Sequence, residues 1–66
     1  MFEIRANTGD WAEAETIEAA RVGARTFILE DGADSAEIFE DGADFPVERA
    51  RRSEYGDCAV TFWRKG

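Results

Sequence analysis

The feature that most constrains this chain is an acidic segment, EDGADSAEIFEDGAD, which spans residues 30–44 and contains the letters EDGAD twice. The segment has no Lys or Arg, and its seven carboxylates are Glu30, Asp31, Asp34, Glu37, Glu40, Asp41 and Asp44. The other residues carry eight acids and eight bases, so the formal charge of −7 comes from this segment alone. Because like charges without counter-ions destabilise a small domain, the segment indicates an acidic surface that serves a cationic partner.

The length of 66 residues leaves room for one domain with one core. Apolar residues make up 44% of the chain and charged residues 35%, which is typical of a folded domain rather than a disordered acidic tail. The single Cys58 cannot form an internal disulfide, and we expect it to be a buried thiol in a reducing compartment. The large apolar residues form the predicted core: Phe2, Ile4, Trp11, Ile17, Val22, Phe27, Ile28, Leu29, Phe39, Phe45, Val47, Val60, Phe62 and Trp63.

No stretch approaches the ~20 apolar residues of a membrane span, and the N-terminal letters MFEIR lack the layout of a signal peptide. We therefore expect a soluble, cytoplasmic protein with no membrane contact. The excess of acids also argues against direct binding to nucleic acid or anionic lipid, because Lys and Arg hold those polyanions.

The N-terminal part of the chain predicts a strand and a turn. Apolar and charged residues alternate over residues 2–6, which predicts a strand, and residues 7–10 have turn composition. Two interpretations stay open for residues 11–15. Asp10 and Glu13 make a capping-box pattern that would begin a helix, and the letters WAEAE equally fit a second strand paired in a hairpin.

A main helix is predicted from about residue 16 to residue 30. Thr16 is a suitable N-cap and Gly32 a suitable stop. Residues Phe27 to Leu29, taken alone, are also typical of a strand, so their assignment stays open. One apolar stripe at helical spacing supports the helix: Ile17, Ala20, Ala24, Phe27 and Ile28.

The acidic segment itself predicts a second, short helix. Asp34 and Glu37 form a capping-box pattern, and Gly42 provides a stop about two turns later. In such a helix Asp34, Glu37 and Asp41 share one side, and Phe39 points the other way.

The C-terminal part predicts a hairpin. Residues 45–51 form one strand, with Pro46 at its start, residues 53–57 form a turn, and residues 58–64 form a second strand rich in β-forming residues. The expected fold class is therefore α+β. It consists of a small antiparallel sheet of three strands, or four if residues 11–15 are extended, packed against one main helix and the short acidic helix.

No catalytic or metal-binding pattern is present in the sequence. The chain contains no His and no glycine-rich phosphate loop, and Cys58 has no base near it in sequence. A calcium loop begun at Asp31 or Asp34 would place Ala, Ser or Phe where acids and glycine are required. We therefore predict that the chain is not an enzyme and needs no cofactor or metal.

The spacing of the acids instead predicts a mimic of DNA. Carboxylates at helical i, i+3 and i+4 positions lie about 5–6 Å apart, a distance comparable in scale to the charge pattern of a DNA strand. Such a surface is suited to a groove lined by Lys and Arg, with Ile38, Phe39 and Phe45 as apolar anchors. The predicted partner-binding residues are the seven acids of the segment, and the predicted partner is a basic DNA-binding surface of a protein complex.

A very short, acidic, His-free α/β chain with one Cys and the run EDGADSAEIFEDGAD resembles the small anti-CRISPR proteins of phages and mobile elements. The likeness is to inhibitors of type I systems, and of type I-C in particular. It implies a monomeric, stoichiometric inhibitor of the crRNA-guided Cascade surveillance complex. The inhibitor would bind the basic large-subunit surface that reads the PAM duplex, and so block target DNA binding.

The alternative is an acidic interaction module, such as an antitoxin or an accessory subunit, that neutralises a basic protein partner unrelated to DNA. For a localised acidic surface, reversal of Asp34, Glu37 and Asp41 to Lys is expected to abolish binding. Reversal of Glu3 and Glu54 is expected to do little.

Overall fold

The computed structural model of the chain describes residues 1–53 and 60–64, and these contain five strands and one helix. In chain order they are β1 (Phe2–Ala6), β2 (Trp11–Ala14), α1 (Ile17–Leu29), β3 (Ser35–Glu40), β4 (Glu48–Arg52) and β5 (Val60–Arg64). The α+β class is as predicted, but the sheet has five strands rather than three or four, and the second helix is absent from the described residues. No helix in this part of the chain has the length and hydropathy needed to cross a bilayer.

The strands form one antiparallel sheet in the order β2-β1-β3-β4-β5, with β3 at its centre. Helix α1 follows β2 along the chain and packs against one face of the sheet, which we call the covered face. Ile4, Ile38 and Ala50 point into it and are buried. Because side chains alternate along a strand, the neighbouring residues point to the opposite, open face.

The predicted turn at residues 7–10 is confirmed, and it resolves the choice left open for residues 11–15. The amide of Ala6 donates to the carbonyl of Asp10 at 2.9 Å, and Gly9 has a φ of 99°, which favours glycine. These contacts close a hairpin, so Trp11 to Ala14 are a strand that pairs with β1.

The main helix agrees closely with its prediction. The hydroxyl of Thr16 accepts a hydrogen bond from the amide of Ala19 at 3.1 Å, and the predicted apolar stripe faces the sheet. Residues 27–29 are therefore helical. Gly23 lies in mid-helix, where it weakens helix propensity, but a Cβ placed there would lie only 3.3 Å from Cδ1 of Ile4. The glycine thus allows the helix to lie close to β1.

The predicted short acidic helix is wrong, because residues 35–40 form the central strand β3. In this strand Ala36 and Ile38 are buried on the covered face, while Glu37 and Phe39 alternate with them on the open face. A helix would have left Ile38 near the acidic side. Pairing with β1 on one side and β4 on the other satisfies the backbone on both edges, which outweighs the local capping-box signal.

The two predicted C-terminal strands are present, the first with different bounds and the second over its described residues. The expected strand 45–51 is observed as Glu48–Arg52, with Pro46 in the connection before it, and the expected strand 58–64 is observed as Val60–Arg64. Most of the predicted turn at 53–57 and the assignment of Cys58 lie outside the described residues.

The core is built mainly from alanine. Of nine buried apolar residues in the described chain, six are Ala, and the other three are Ile4, Ile28 and Ile38. Three large residues assigned to the core are instead exposed: Trp11 at 63%, Val22 at 65% and Phe45 at 70%. Trp11 is exposed because it lies on the open face of β2, Val22 lies on the solvent side of α1, and Phe45 lies in the connection between β3 and β4. Trp63 was also predicted to lie in the core, but its side chain is outside the part of the chain that the structure describes.

Among the described residues, a half-exposed arginine and a buried glutamate form an ion pair between the helix and the sheet. Arg21 on α1 donates from Nε and Nη2 to the two carboxylate oxygens of Glu48 on β4, at 2.6 and 2.9 Å. Glu48 is 3% exposed. The hydrogen bonds to Glu48 raise the pKa of the Arg21 guanidinium above its already high value, so Arg21 stays charged throughout the ordinary pH range. The pair therefore joins α1 to β4 through two hydrogen bonds from a charged guanidinium.

Candidate functional site

The seven acids of the predicted site are divided between the two ends of β3 instead of sharing one helical side. Glu30, Asp31 and Asp34 precede the strand and form what we call the 30–34 cluster. Glu40, Asp41 and Asp44 lie where the strand ends and form the 40–44 cluster. Six residues at about 3.3 Å each place the clusters about 17–20 Å apart. The expected spacing of 5–6 Å along one surface is therefore wrong.

Glu37, the seventh acid, lies midway along β3 on the open face. Its Oε2 is 3.0 Å from Nε of Arg49, and in the strand register it stands between Arg5 and Arg49. The residue is thus balanced by bases and does not belong to either cluster. The other six acids are exposed, and none has a side-chain hydrogen bond or ion pair to a described residue.

The 30–34 cluster lies at the C-terminal end of α1, where the helix dipole is negative and the last turn contains no basic residue. Asn7 Oδ1 accepts hydrogen bonds from the amides of Asp34 and Ser35 at 2.9 and 3.3 Å. Nη2 of Arg52 donates to the carbonyl of Ile28 at 2.5 Å. The loop is thus held through backbone groups, and its carboxylates stay available to solvent.

The 40–44 cluster lies in the tight turn that follows β3. Gly42 has a φ of 78°, and the amide of Asp41 donates to the carbonyl of Met1 at 2.9 Å, which holds the turn beside the start of β1. The turn borders a cleft of about 300 Å³. Five carboxylates line this cleft: Glu3, Glu13, Glu40, Asp41 and Asp44.

Glu3 and Glu13 are site residues that the sequence reasoning did not find. They stand directly opposite each other on β1 and β2, and both are on the open face. Period-two alternation was a visible signal for the face of each residue, but the pairing of β1 with β2 was not assigned. Because Glu3 lines the acidic cleft, it is unsuitable as the control residue that the sequence suggested. Glu54 lies outside the described residues.

An arginine and an aromatic ring lie beside these acids. Arg5 forms an ion pair with Glu3, and its guanidinium carbon lies 4.6 Å from the centre of the Phe39 ring. That distance is within the range of a cation–π interaction. Glu13 has no hydrogen bond or ion pair to any residue that the structure describes, so the acid opposite Glu3 is uncompensated.

The open face as a whole is electrically balanced. The strand registers place three acids and three bases on it within the described chain: Glu3, Glu13, Glu37, Arg5, Arg49 and Arg51. Since the whole chain has a formal charge of −7, the excess negative charge lies at the ends of the sheet and on the helix side. The acidic surface is therefore formed by the clusters and the cleft.

Within residues 1–53 and 60–64, no group of three or more Cys, Asp or Glu side chains is arranged to hold a metal ion. Comparison of the chain with protein-family models, curated proteins and solved structures finds no match.

Proposed function

We propose that this chain is an acidic DNA mimic that occupies a basic DNA-binding surface of a protein complex and blocks DNA binding there. The observation that carries the proposal is the pair of exposed clusters at the two ends of β3, whose six carboxylates have no counter-ion among the described residues. In line with the resemblance to type I-C anti-CRISPR proteins, the proposed target is the PAM-reading surface of the Cascade large subunit. The proposed inhibitor acts as a monomer in the bacterial cytoplasm.

The positions of the acids support a role other than stability. Glu30 and Asp31 follow the C-terminal end of α1, where a negative charge costs roughly 0.3–1 kcal/mol because it opposes the helix dipole. Bases exist in the chain, but Arg52 binds backbone carbonyls rather than these carboxylates. A domain of this size has little stability in reserve, so a partner that receives the charge is a simpler explanation than structural need.

The separation of the clusters also supports DNA mimicry. A helical turn of B-DNA is about 34–36 Å, so two charge clusters about 17–20 Å apart match the scale of half a turn. The central strand of an antiparallel sheet fixes that distance, which a flexible acidic tail does not. A basic groove shaped for phosphates could therefore contact both clusters at once, and release of counterions would favour binding.

The proposal is tested by competition for purified type I-C Cascade between this protein and a labelled duplex that carries a PAM. The wild-type chain is expected to displace the duplex. The variants D41N/D44N and E30Q/D31N each remove two charges from one cluster and are expected to weaken displacement by about tenfold or more.

The matched control is E15Q/E18Q, which removes the same charge from exposed positions near the start of α1. It is expected to displace the duplex nearly as well as wild type. Equal weakening by all three variants would show that only net charge matters, and simultaneous binding of protein and duplex would refute occupancy of the DNA surface.

A second candidate is an interaction module for a basic protein partner unrelated to DNA. The exposed Trp11 on the balanced open face favours it, because aromatic anchors are typical of protein–protein contacts. Capture of partners from a bacterial lysate, repeated with excess duplex DNA, separates the two functions. Only a DNA mimic loses its partner to the competitor.

A further inference from the structure

Edge strand β2 presents two side chains to the open face that the fold itself does not use. Trp11 and Glu13 are two residues apart, so they lie on the same face at about 7 Å from each other. Trp11 is 63% exposed, and Glu13 is also exposed. Neither side chain has a hydrogen bond, ion pair or ring contact with a residue in the described chain. An indole face and a carboxylate are thus both available to a partner.

The base nearest to this pair is committed elsewhere. Arg5 stands opposite Trp11 in the strand register, but its guanidinium is held by Glu3 and the Phe39 ring. A hollow of about 340 Å³ lies beside Trp11, with walls that include Asp10. Glu3 and Arg5 line both this hollow and the acidic cleft, so the two depressions are neighbours on the sheet. A side chain from a partner therefore has space next to Trp11.

The charges around Glu13 favour the binding of a cation. Glu3 and Glu13 are directly opposite each other, and cross-strand neighbours have Cβ atoms about 4.5–5.5 Å apart, a distance at which like charges destabilise a sheet. Arg5 compensates Glu3 only. A positive charge brought by a partner would compensate Glu13 and relieve the repulsion.

The exposed indole selects the kind of cation. A guanidinium is planar, stacks on aromatic rings and can donate two parallel hydrogen bonds to a carboxylate, whereas an ammonium is compact and strongly hydrated. Trp is also the best aromatic partner of a cation. Arg5 on Glu3 and Phe39 already shows the same combination of carboxylate and ring within this sheet.

We infer that Trp11 and Glu13 form a docking site for an arginine side chain presented by the partner's basic surface. The identity of that partner rests on the proposed function, but the preference for arginine over lysine is a property of this sheet face. The site lies outside the two acidic clusters and provides the specific contact that long-range charge attraction lacks.

The inference is tested by titrating the ¹⁵N-labelled protein with oligoarginine and oligolysine peptides of equal length. Oligoarginine is expected to shift the indole N–H resonance of Trp11 and the amides of β2, and to bind at least about threefold more tightly than oligolysine. W11L is expected to abolish that preference, and E13Q to weaken oligoarginine binding by about threefold to tenfold. E13Q is also expected to raise Tm, because it removes the repulsion with Glu3.

The matched control is E18Q, which removes one exposed charge on the helix side of the sheet. It is expected to retain the arginine preference. Equal binding of the two peptides, resonance shifts confined to the 30–34 and 40–44 clusters, or identical behaviour of E13Q and E18Q would each overturn the arginine site.

The same variants in the Cascade competition separate this inference from the proposed function. If W11L and E13Q displace the duplex like wild type while D41N/D44N fails, the arginine site is refuted for that partner and DNA mimicry stands. If oligoarginine binds selectively at Trp11 but no variant affects the duplex, the arginine site stands and DNA mimicry is refuted.

Discussion

Glu48 is the residue whose role depends most on the folded structure. It is buried at 3% exposure and receives two hydrogen bonds from Arg21, which is 27 residues distant in the chain. In the sequence it belongs to the charge-rich run ERARR, where alternation alone does not tell which face is buried. On the covered face this glutamate is stabilised by the arginine that α1 brings to the same place.

The two partners of this pair are predicted to differ in their effect on stability. R21A deprives a buried carboxylate of two hydrogen bonds, whereas E48Q removes the charge and leaves Arg21, whose side chain is 40% exposed, able to reach water. We expect R21A to lower Tm by roughly 10 °C or more and E48Q to lower it by less than half as much. Thermal unfolding followed by circular dichroism measures both. If Tm fell as much in E48Q as in R21A, or more, the larger cost would not come from leaving a buried carboxylate without Arg21.

At the level of elements, local pattern was sufficient where it was unambiguous. Alternation assigned residues 2–6 to a strand, and the Thr16 cap with its apolar stripe located α1 within one residue at each end. The segment 34–42 carried local helix signals, a capping-box pattern and a glycine stop, and these gave the wrong element. Residues 35–40 form a strand because they pair with β1 and β4. Those strands are distant in sequence, so the local pattern does not reveal the pairing.

Strand β3 also explains which features of the acidic site could be predicted from the sequence. Six of the seven acids named from the sequence have no ion pair with a described residue, whereas Glu37 pairs with Arg49 and the unpaired Glu13 was not named. Their arrangement could not be predicted, because it follows from β3 being extended. Glu3 and Glu13 were missed for a related reason: an acidic cleft formed by three chain segments has no signature in any one of them.

The assignment of β3 as a strand predicts losses of stability of different size for substitutions at two adjacent residues. Ile38 is fully buried opposite Ile4, so I38A is expected to reduce the free energy of unfolding by about 2–5 kcal/mol. Phe39 is half-buried on the open face, and F39A is expected to cost less than half as much. Urea unfolding of the two variants provides the comparison. Similar losses would contradict the alternation of these side chains between the two faces.

For the whole molecule, the distribution of charge matters more than its sum. The overall extents are 34 × 25 × 18 Å, and the excess negative charge of the described residues lies at the ends of the sheet and on the helix side. At 0.1 M salt the Debye length is about 10 Å, so clusters about 17–20 Å apart are largely screened from each other. Repulsion is therefore mainly local, within each cluster and between Glu3 and Glu13.

Local repulsion predicts that salt acts in opposite directions on folding and on binding. Raising NaCl from about 0.05 M to about 0.5 M is expected to raise the Tm of the free protein by a few degrees, because screening weakens repulsion within the clusters. The Tm of D41N/D44N should rise less with salt, because two charges of its 40–44 cluster are already removed. A fall in Tm with salt would mean that the ion pairs of Arg5, Arg21 and Arg49 outweigh the repulsion.

Affinity for a basic partner should decrease over the same range of salt concentration. The slope of the logarithm of affinity against the logarithm of salt concentration should be shallower for D41N/D44N. Stability and affinity that rose together with salt would show that the surface binds through apolar contact, so the clusters would not act as phosphate mimics.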